Sequence, residues 1–163
     1  MKDADLRALT KHKDFILKNG DIVLALTRPV ISGELKVART TKGDVPSLLN
    51  QRVARVIPKT EVAFNDYLFA LFSWGKLASD IEDEIFGTDP PNVSTKQIES
   101  MRYAIPPLDE QRLIADSISS VSNRIYIAFN KLEQLKQIKK ALMQDLLTGK
   151  VRVNLTDKES AVV

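Results

Sequence analysis

One apolar repeat in the last third of the chain constrains its fold more than any other feature. Apolar residues recur there at alternating steps of four and three, and no Pro or Gly occurs between Pro107 and Gly149. This spacing is the heptad pattern of a helix that pairs with another helix along a narrow apolar strip. We call the strip the helix seam, and Lys139 is its one polar member. The seam consists of Ile114, Ile118, Val121, Ile125, Ala128, Leu132, Leu135, Lys139, Leu142 and Leu146.

Local signals predict where this helix begins and ends. The spacing predicts a helix over 110–147, preceded by Asp109 as the N-cap whose carboxylate accepts from free backbone amides. Leu108 and Leu113 then occupy the two positions of a hydrophobic staple. Gly149 occupies the position where a left-handed residue ends a helix.

A helix of this length is expected to need a partner. At 1.5 Å per residue it measures about 57 Å, which exceeds the diameter of a domain of about 100 residues. A seam left in water would be a large exposed apolar strip, so a second helix is expected to cover it. We predict an antiparallel coiled-coil homodimer, or pairing with a similar half. The alternative is a helix that bends back over its own domain, which the absence of Pro and Gly disfavours.

The residues before the helix have the pattern of a small α+β domain. Short β-branched segments at 21–27, 34–40, 51–57 and 101–105 predict strands of a small mixed sheet. Apolar residues at three- and four-residue steps predict a helix from residue 65 to about residue 86, interrupted near Gly75. Residues 87–93 (GTDPPNV) are a predicted loop, and Ser94 is a predicted N-cap for a short helix over 95–100.

Charge is distributed unevenly along the chain. The whole chain carries a net charge of only +3. Residues 21–59 contain seven basic and three acidic side chains, whereas residues 61–99 contain eight acidic and two basic ones. This asymmetry predicts that one surface of the domain faces an anionic partner and that another faces away from it. Ordinary solvated charge is the alternative.

Composition excludes several classes of function. The 163 residues include no Cys and a single His, His12, which lies in a polar lysine-rich run. A thiolate metal site, a disulfide framework and a histidine-dependent triad are therefore not expected. The first residues lack the apolar core of a signal peptide, and no segment has the roughly 20 apolar residues of a membrane span. A soluble, cytoplasmic protein without a membrane partner is expected.

The segment IPPLDEQRLIADSISSVSNRIYIAFNKLEQLKQIKKALMQDLLTGKVRV (105–153) resembles the conserved segment of type I restriction-modification specificity subunits. In that family a Pro-Pro-Leu, Glu-Gln, Ile-Ala run opens a long helix that closes with a leucine pair, Thr-Gly-Lys and Val-Arg-Val. The matching residues are Pro106, Pro107, Leu108, Glu110, Gln111, Ile114, Ala115, Leu146, Leu147, Thr148, Gly149, Lys150, Val151, Arg152 and Val153. The preceding segments NGDIVLALTRP (19–29), LLNQRVARV (48–56) and GTDPPNVSTKQI (87–98) are similar to the family's target recognition domain.

The resemblance implies a domain organisation. Residues 1–107 would be a target recognition domain that lacks the family's N-terminal strands, residues 108–149 a coiled-coil spacer helix, and residues 150–163 a short strand-like segment and tail. Family subunits commonly carry two recognition domains and two long helices in one chain. This sequence has one of each, so it resembles a half-subunit.

The resemblance also implies a function without catalysis. The chain would read half of a bipartite double-stranded DNA target and dock a methyltransferase (modification) subunit and a restriction/translocase subunit. It would itself have no catalytic residue, metal or cofactor. Side chains that can hold phosphates or make paired hydrogen bonds to bases are the candidates for DNA contact. These candidates are Arg28, Arg39, Lys42, Gln51, Arg52, Thr88, Asn92 and Lys96.

Three other functions are compatible with parts of the sequence. A coiled-coil adaptor whose domain binds protein is favoured by the acidic residues 80–84. Asp21, Glu34 and Lys36 have the chemistry of a metal-dependent nuclease, although Glu-x-Lys is a common triplet. The segment DPPN (89–92) is similar to the Asp-Pro-Pro-aromatic motif of amino methyltransferases, but Asn92 occupies the place of the aromatic residue that stacks on a flipped base.

Overall fold

The computed structural model describes residues 12–87 and 89–153. The chain divides into two units, the first ending at Ser117 and the second beginning at Ile118. Within the described ranges, no helix combines the length and the apolar character that crossing a membrane requires.

Short strands and helices alternate with turns before one long helix. The strands are β1 (Ile16–Leu17), β2 (Ile22–Ala25), β3 (Val30–Ile31), β4 (Glu34–Leu35), β5 (Val37–Arg39), β6 (Ser47–Leu48) and β7 (Val53–Val56). The helices are α1 (Asn65–Phe72), α2 (Gly75–Glu84), α3 (Thr95–Ser100) and α4 (Leu108–Leu147). The α+β class predicted from the sequence is confirmed.

A three-stranded sheet positions the other elements of the first unit. Its central strand, β2, pairs with β5 on one side and with β7 on the other. Ile22 faces Arg39 and Val56, and Ala25 at the opposite end of β2 faces Val53. Each strand pair in the described part of the chain is antiparallel, so the expectation of a mixed sheet is wrong.

The alternation along β2 buries its two large aliphatic side chains on the core side. Ile22 and Leu24 are almost completely buried. Val23 and Ala25, which alternate with them along the strand, are half-buried. This period of two is the pattern of a strand with one face on the core. Leu24 packs in a cluster to which α2 contributes Leu77 and Ile81. The core therefore lies between the sheet and α2.

A tight hairpin interrupts the segment that the sequence predicts as one strand over 34–40. β3 and β4 are joined by Ser32 and Gly33, whose φ angles of 55° and 77° are both positive. Positive φ at both central residues is the requirement of a type I′ turn, which matches the right-handed twist of a two-stranded ribbon. The predicted strand is thus divided into β4, which completes the hairpin, and β5, which joins the central sheet.

The predicted helix over 65–86 is also divided in two. α1 ends at Phe72 and α2 begins at Gly75, with Trp74 in an extended conformation between them. The predicted cap of α3 is confirmed. The Ser94 side chain accepts from the Gln97 backbone amide, and the Gln97 side chain accepts from the Ser94 amide, which is a capping box.

Three expectations about the start of α4 and the segment before it are wrong. Residues 101–105 form no strand. α4 begins at Leu108 because the Pro107 carbonyl already accepts from the Gln111 amide at 3.0 Å. Asp109 therefore lies in the first turn and is not the N-cap, and Leu113, which is 69% exposed, forms no hydrophobic staple.

The C-terminal end of α4 agrees with the sequence. Gly149 has a φ of 72°, and its amide donates to the Leu146 carbonyl at 3.2 Å. A left-handed glycine at this position satisfies a carbonyl that the helix leaves free. The predicted tail over 154–163 lies outside the described residues.

Candidate nucleic-acid interface

Three loops converge at the C-terminal end of β2. The Leu26 amide donates to the Arg52 carbonyl at 2.8 Å, and the Val93 amide donates to the Leu26 carbonyl at 2.9 Å. The Arg28 amide donates to the Pro91 carbonyl at 2.7 Å. These backbone hydrogen bonds place the loops around residues 26–29, 50–52 and 89–92 side by side. We call this end of the sheet the loop end.

Arg28 is exposed in a backbone conformation that arginine rarely adopts. Its φ is 47°, in the left-handed region where a Cβ crowds the following carbonyl. The hydrogen bond to Pro91 and the burial of the next residue, Pro29, hold this conformation in place. Strained residues of this kind persist only where the surrounding structure holds them in place. They occur most often at functional sites.

Asn92 is held beside the Arg28 loop. It forms an isolated antiparallel bridge with Thr27, and its side-chain Nδ2 donates to the Pro90 carbonyl at 2.9 Å. The side chain is exposed. The nitrogen of the Asn92 carboxamide is therefore engaged within its own loop. Among the described residues, no hydrogen bond to the carboxamide oxygen is recorded.

Gln51 and Arg52 extend the loop end on the opposite side. Both are exposed, and the Asn50 side-chain oxygen accepts from the Arg52 amide at 2.9 Å. This Asx turn brings the chain into β7 and fixes the two residues just before the strand.

Lys36 belongs to the loop end, although it was not among the DNA-contact candidates predicted from the sequence. Its Nζ donates to the Thr27 carbonyl at 3.2 Å, and its backbone amide donates to the Pro29 carbonyl at 2.7 Å. The sequence signal was the Ser-Gly pair at 32–33, because a two-residue hairpin turn returns the chain to β2 at Lys36.

The remaining candidates are distributed differently. Lys96 is exposed in the first turn of α3, four residues after Asn92. Lys42 is exposed in a turn beyond β5, next to the start of β2 and thus at the other end of the sheet. Thr88 lies outside the described residues.

Arg39 is engaged within the protein. Its Nη1 forms an ion pair with Asp66 of α1, and its guanidinium carbon lies 4.7 Å from the centre of the Phe69 ring. Because β5 pairs with the first residue of β2, Arg39 lies at the same end of the sheet as Lys42. The structure therefore does not bring Arg39 and Lys42 together with the other candidates.

The loops of the loop end carry more cations than carboxylates. Their basic side chains are Arg28, Lys36 and Arg52, against the carboxylate of Asp89, and Lys96 follows in the first turn of α3. The excess of positive charge together with exposed amide groups suits an anionic, hydrogen-bonding ligand.

The acidic helix α2 has a separate hydrogen-bonded group of side chains. Asp80 accepts from Lys76 and, at 2.6 Å, from the Tyr103 hydroxyl. The hydrogen bond from Lys76, with the one from Tyr103, lowers the pKa of Asp80. Burial, with the hydrogen bond to Asp80, raises the pKa of Tyr103 to about 12.

The residues of the nuclease alternative do not assemble. Asp21 precedes β2, where its carboxylate accepts from the Lys18 amide at 2.8 Å, whereas Glu34 and Lys36 lie near the opposite end of that strand. Residues 12–87 and 89–153 contain no group of three or more His or acidic side chains that could hold a metal ion.

Gln111 is fully buried and makes three hydrogen bonds through its side chain. Its Oε1 accepts from the Phe64 amide at 2.7 Å, and its Nε2 donates to the Val62 and Pro106 carbonyls, both at 2.8 Å. Both the oxygen and the nitrogen of the Gln111 carboxamide are therefore hydrogen-bonded to backbone groups. Gln111 joins the first turn of α4 to the segment before α1.

The helix seam is exposed over the second unit. Its large aliphatic members from Ile118 to Leu146 are between 40% and 64% exposed, and Ala128 is also exposed. Ile114, in the first unit, is half-buried. Among the described residues of the second unit, none covers the seam.

The structure thus defines a class of protein in which a small α+β domain with a basic loop end precedes a 40-residue helix with an exposed heptad strip. The model of the type I restriction modification DNA specificity domain matches residues 4–140. The chain belongs to this family, and the resemblance seen in its sequence is confirmed.

Individual relatives agree with this assignment. The chain is 38% identical over 145 residues to the type I restriction enzyme MjaVIII specificity subunit of Methanocaldococcus jannaschii, an alignment that covers 89% of this chain and 34% of the relative. It is 32% identical over 127 residues to the EcoAI specificity subunit of Escherichia coli, with coverage of 78% and 21%. The chain thus spans about a third or less of the length of these relatives.

Two solved structures have a similar fold. A chain from a study of complex assembly and conformational transition of the type I R-M system matches with a TM-score of 0.66 and 19% identity, covering 91% of this chain and 36% of that one. The HsdS subunit of Thermoanaerobacter tengcongensis matches with a TM-score of 0.54 and 20% identity, covering 79% and 32%.

Proposed function

We propose that this chain is a non-catalytic DNA recognition element of a type I restriction-modification complex, and that it reads one half of a bipartite target. Its family membership and the relatives named above support the DNA-reading role. The observation that carries the proposal is the loop end, where backbone hydrogen bonds join residues 26 to 67 positions apart in sequence, from Leu26 with Arg52 to Leu26 with Val93.

The loop end provides both kinds of contact that sequence-specific DNA binding needs. Arg28 and Arg52 can donate in pairs to the major-groove edge of guanine, and Asn92 and Gln51 can form paired hydrogen bonds with adenine. Lys36 and Lys96 can hold phosphates, which fixes the position of the domain without reading bases. Arg39, Lys42 and Thr88 remain candidates from the sequence that the geometry does not group with this surface.

The helix seam supports the second part of the proposal, a dimer. An apolar strip of seven large exposed side chains on one helix is stabilised when a second helix covers it, because burial removes apolar area from water. A second copy of the chain, or another half-subunit, would place two DNA-reading domains in one particle. A two-fold dimer reads two similar half-sites at a fixed spacing.

In this proposal the catalytic steps are carried out by partner subunits and not by this chain. In the proposed complex a methyltransferase subunit and a restriction/translocase subunit dock on this chain, which directs them to the target. The competing function is a coiled-coil adaptor whose domain binds protein, and the acidic face of α2 is the feature that favours it.

Replacing one cation at each end of the sheet's central strand tests the DNA-reading surface. Arg52→Ala should weaken binding to the cognate DNA by about 1–3 kcal/mol, and the loss should be greatest for one base pair if Arg52 reads that base. Affinity is measured by fluorescence anisotropy at several salt concentrations. Loss of a phosphate contact alone would weaken binding to all sequences alike and would reduce the dependence of affinity on salt.

Lys42→Ala is the matched control, since it removes an exposed cation at the other end of the sheet. It should leave the base preference unchanged. Equal losses from both variants would contradict the assignment of the loop end. Absence of salt-dependent DNA binding by the wild-type chain with its methyltransferase subunit would favour the adaptor.

A further inference from the structure

The hairpin formed by β3 and β4 extends from the loop end. Its base is closed by the hydrogen bond from the Lys36 amide to the Pro29 carbonyl at 2.7 Å, and the Lys36 carbonyl accepts from the Ala25 amide at 3.0 Å, at the end of β2. Ile31 in the hairpin is three residues from Arg28, and three residues of chain span at most about 11 Å. The hairpin and the Arg28 loop therefore lie within the width of one DNA major groove, which is about 12 Å.

The two faces of the hairpin differ in chemistry. Val30 and Leu35 face each other and belong to the core, where Leu35 is buried in the same cluster as Leu77 of α2. Ile31 and Glu34 also face each other, and they point to the opposite side because side chains alternate along a strand. Ile31 is 58% exposed, and Glu34 is exposed as well. We call Ile31 and Glu34 the outer pair.

The backbone fixes the position of the outer pair. Ser32 and Gly33 form the two-residue turn at the tip of the hairpin, and Pro29 at its base is buried. A Cβ placed on Gly75, the first residue of α2, would lie 3.9 Å from the Gly33 carbonyl oxygen, so the tip lies against this helix. A surface whose geometry is set before the ligand arrives loses little conformational entropy on binding.

The outer pair is unsuited to phosphate but suited to the edges of bases. An isoleucine has no hydrogen-bond donor, and a carboxylate is repelled by the phosphate charge. In the major groove, however, thymine presents a methyl group that apolar side chains contact, and cytosine presents an amino group that glutamate can accept from. Among the described residues, none is recorded as a hydrogen-bond or ion-pair partner of the Glu34 side chain. Its carboxylate is thus available to accept from a base.

The dimensions of the hairpin fit this arrangement. A two-stranded β-ribbon enters the major groove of B-DNA. Facing residues of antiparallel strands have Cβ atoms about 4.5–5.5 Å apart, and successive base pairs are about 3.4 Å apart. The outer pair can therefore contact neighbouring base pairs. The basic residues Arg28 and Lys36 flank the base of the hairpin, where they attract DNA to this end of the domain.

From these observations we infer that the hairpin of β3 and β4 enters the major groove, where Ile31 contacts the methyl group of a thymine and Glu34 accepts a hydrogen bond from the amino group of a neighbouring cytosine. The inference rests on the DNA-reading role of the proposed function and adds two specificity-determining residues to it.

Removing single methyl groups from the DNA tests the role of Ile31. Each thymine of the cognate duplex is replaced in turn by uracil, which has no methyl group. At one position this replacement should weaken binding by the wild-type chain with its methyltransferase subunit about fourfold, which corresponds to the roughly 0.8 kcal/mol that burial of one methylene-sized group contributes. Ile31→Ala, whose side chain is too short to reach the methyl group, should bind the two duplexes equally. Ile57→Ala, which changes an exposed isoleucine at the other end of the sheet, should keep the difference.

Glu34→Ala tests the carboxylate of the outer pair. Removal of a negative charge from the interface should strengthen binding to non-cognate DNA. Discrimination against other bases at the cytosine position should fall about tenfold, because a hydrogen bond to a charged group is lost. Glu34→Gln keeps an acceptor oxygen and should retain more of this discrimination than Glu34→Ala. A change in affinity that is the same for all sequences would contradict base reading by Glu34.

Two results would overturn the inference for Ile31. One is a wild-type chain that does not distinguish thymine from uracil at any position, and the other is an Ile31→Ala variant that keeps the distinction. Circular dichroism checks that Ile31→Ala is folded, and Ile31→Asn, which is polar and of similar length, is a second variant that should lose the distinction.

Failure of the inference and failure of the proposed function give different results. DNA binding that depends on Arg52 and on salt, but not on thymine methyl groups, contradicts the inference alone. Absence of DNA binding by the wild-type chain with its methyltransferase subunit contradicts the proposed function as well.

Discussion

Arg28 links backbone strain to the proposed recognition. A non-glycine residue at a φ of 47° costs on the order of 1 kcal/mol, which the hydrogen bond to Pro91 and the surrounding loops offset. The side chain that causes this cost is one of those proposed to contact DNA. Stability and DNA affinity should therefore respond in opposite directions when it is removed.

Arg28→Gly is expected to leave the free energy of unfolding unchanged or to raise it by about 1 kcal/mol, since glycine accepts a positive φ. The same change should weaken DNA binding by about 1–3 kcal/mol. Urea denaturation and anisotropy titration measure the two quantities. Arg28→Lys is the matched variant, since it keeps the charge but loses the paired donors. Full affinity in Arg28→Lys would indicate a phosphate contact and not a base contact.

Tyr103 predicts a loss of stability in alkaline solution. Its pKa is raised from about 10 to about 12 by burial and by the hydrogen bond to Asp80. Between these values the unfolded chain has lost the phenolic proton and the folded chain has kept it. Unfolding therefore becomes easier as pH rises from about 10 to about 12.

Tyr103→Phe should flatten this part of the stability profile, although it also removes a hydrogen bond near neutral pH. Urea denaturation at a series of pH values measures the effect, and Tyr126→Phe, which changes an exposed tyrosine of α4, is the control. A slope that persists in Tyr103→Phe would show that another group causes it.

At the scale of secondary-structure elements, the start of α4 depends on one buried amide. Gln111 satisfies the Phe64 amide and two carbonyls that have no other hydrogen-bond partner of comparable geometry in the described part of the chain. Removing the carboxamide leaves these backbone groups buried and unpaired, which is more costly than the loss of the hydrogen bonds themselves.

Gln111→Ala is expected to lower the free energy of unfolding of the first unit by about 3 kcal/mol. The fluorescence of Trp74, the single tryptophan, reports on that unit during urea denaturation. Gln137→Ala, an exposed glutamine of the same helix, should change stability by no more than about 0.5 kcal/mol. Similar effects of the two substitutions would contradict the anchoring role of Gln111.

At the scale of the whole molecule, the proposed dimer depends on covering the helix seam. Lys139 is the one polar member of the seam and lies between the seam residues Leu135 and Leu142. A single lysine among the apolar positions of a coiled coil lowers the stability of the pair.

Lys139→Leu should therefore tighten dimerisation about tenfold or more, because burial of a further leucine side chain contributes roughly 1.5–3 kcal/mol. Sedimentation equilibrium measures the dissociation constant, and Lys140→Leu, at a position away from the seam, should have no comparable effect. A Lys139→Leu dimer that is no tighter than the wild-type dimer would contradict a covered seam.

Much of the fold could be predicted from the sequence, because the signals involved are local. The heptad spacing of α4, its terminal Gly149 and the capping box at Ser94 each depend on residues within one or a few helical turns. The errors have a physical cause in tertiary structure. Residues 101–105 have the composition of a strand. They form none, because no strand among the described residues pairs with them.

The candidate site could be predicted only in part. Composition identified Arg28, Arg52 and Asn92 as candidates, but it also selected Arg39, whose guanidinium the folded chain pairs with Asp66. It omitted Lys36, which the hairpin returns to β2. Residue type indicates what a side chain can bind, whereas only the paths of the loops determine which side chains are adjacent.

The sequence by itself determined that this chain has a long helix with a heptad seam, an α+β domain before it and the features of the type I specificity family, because periodicity and motifs are properties of neighbouring residues. Tertiary structure alone decided which basic side chains lie together at each end of the sheet and which polar side chain anchors α4. Those outcomes depend on hydrogen bonds between residues as distant in sequence as Arg28 and Pro91, or Phe64 and Gln111. Such contacts form only when the core between the sheet and α2 has brought distant segments together.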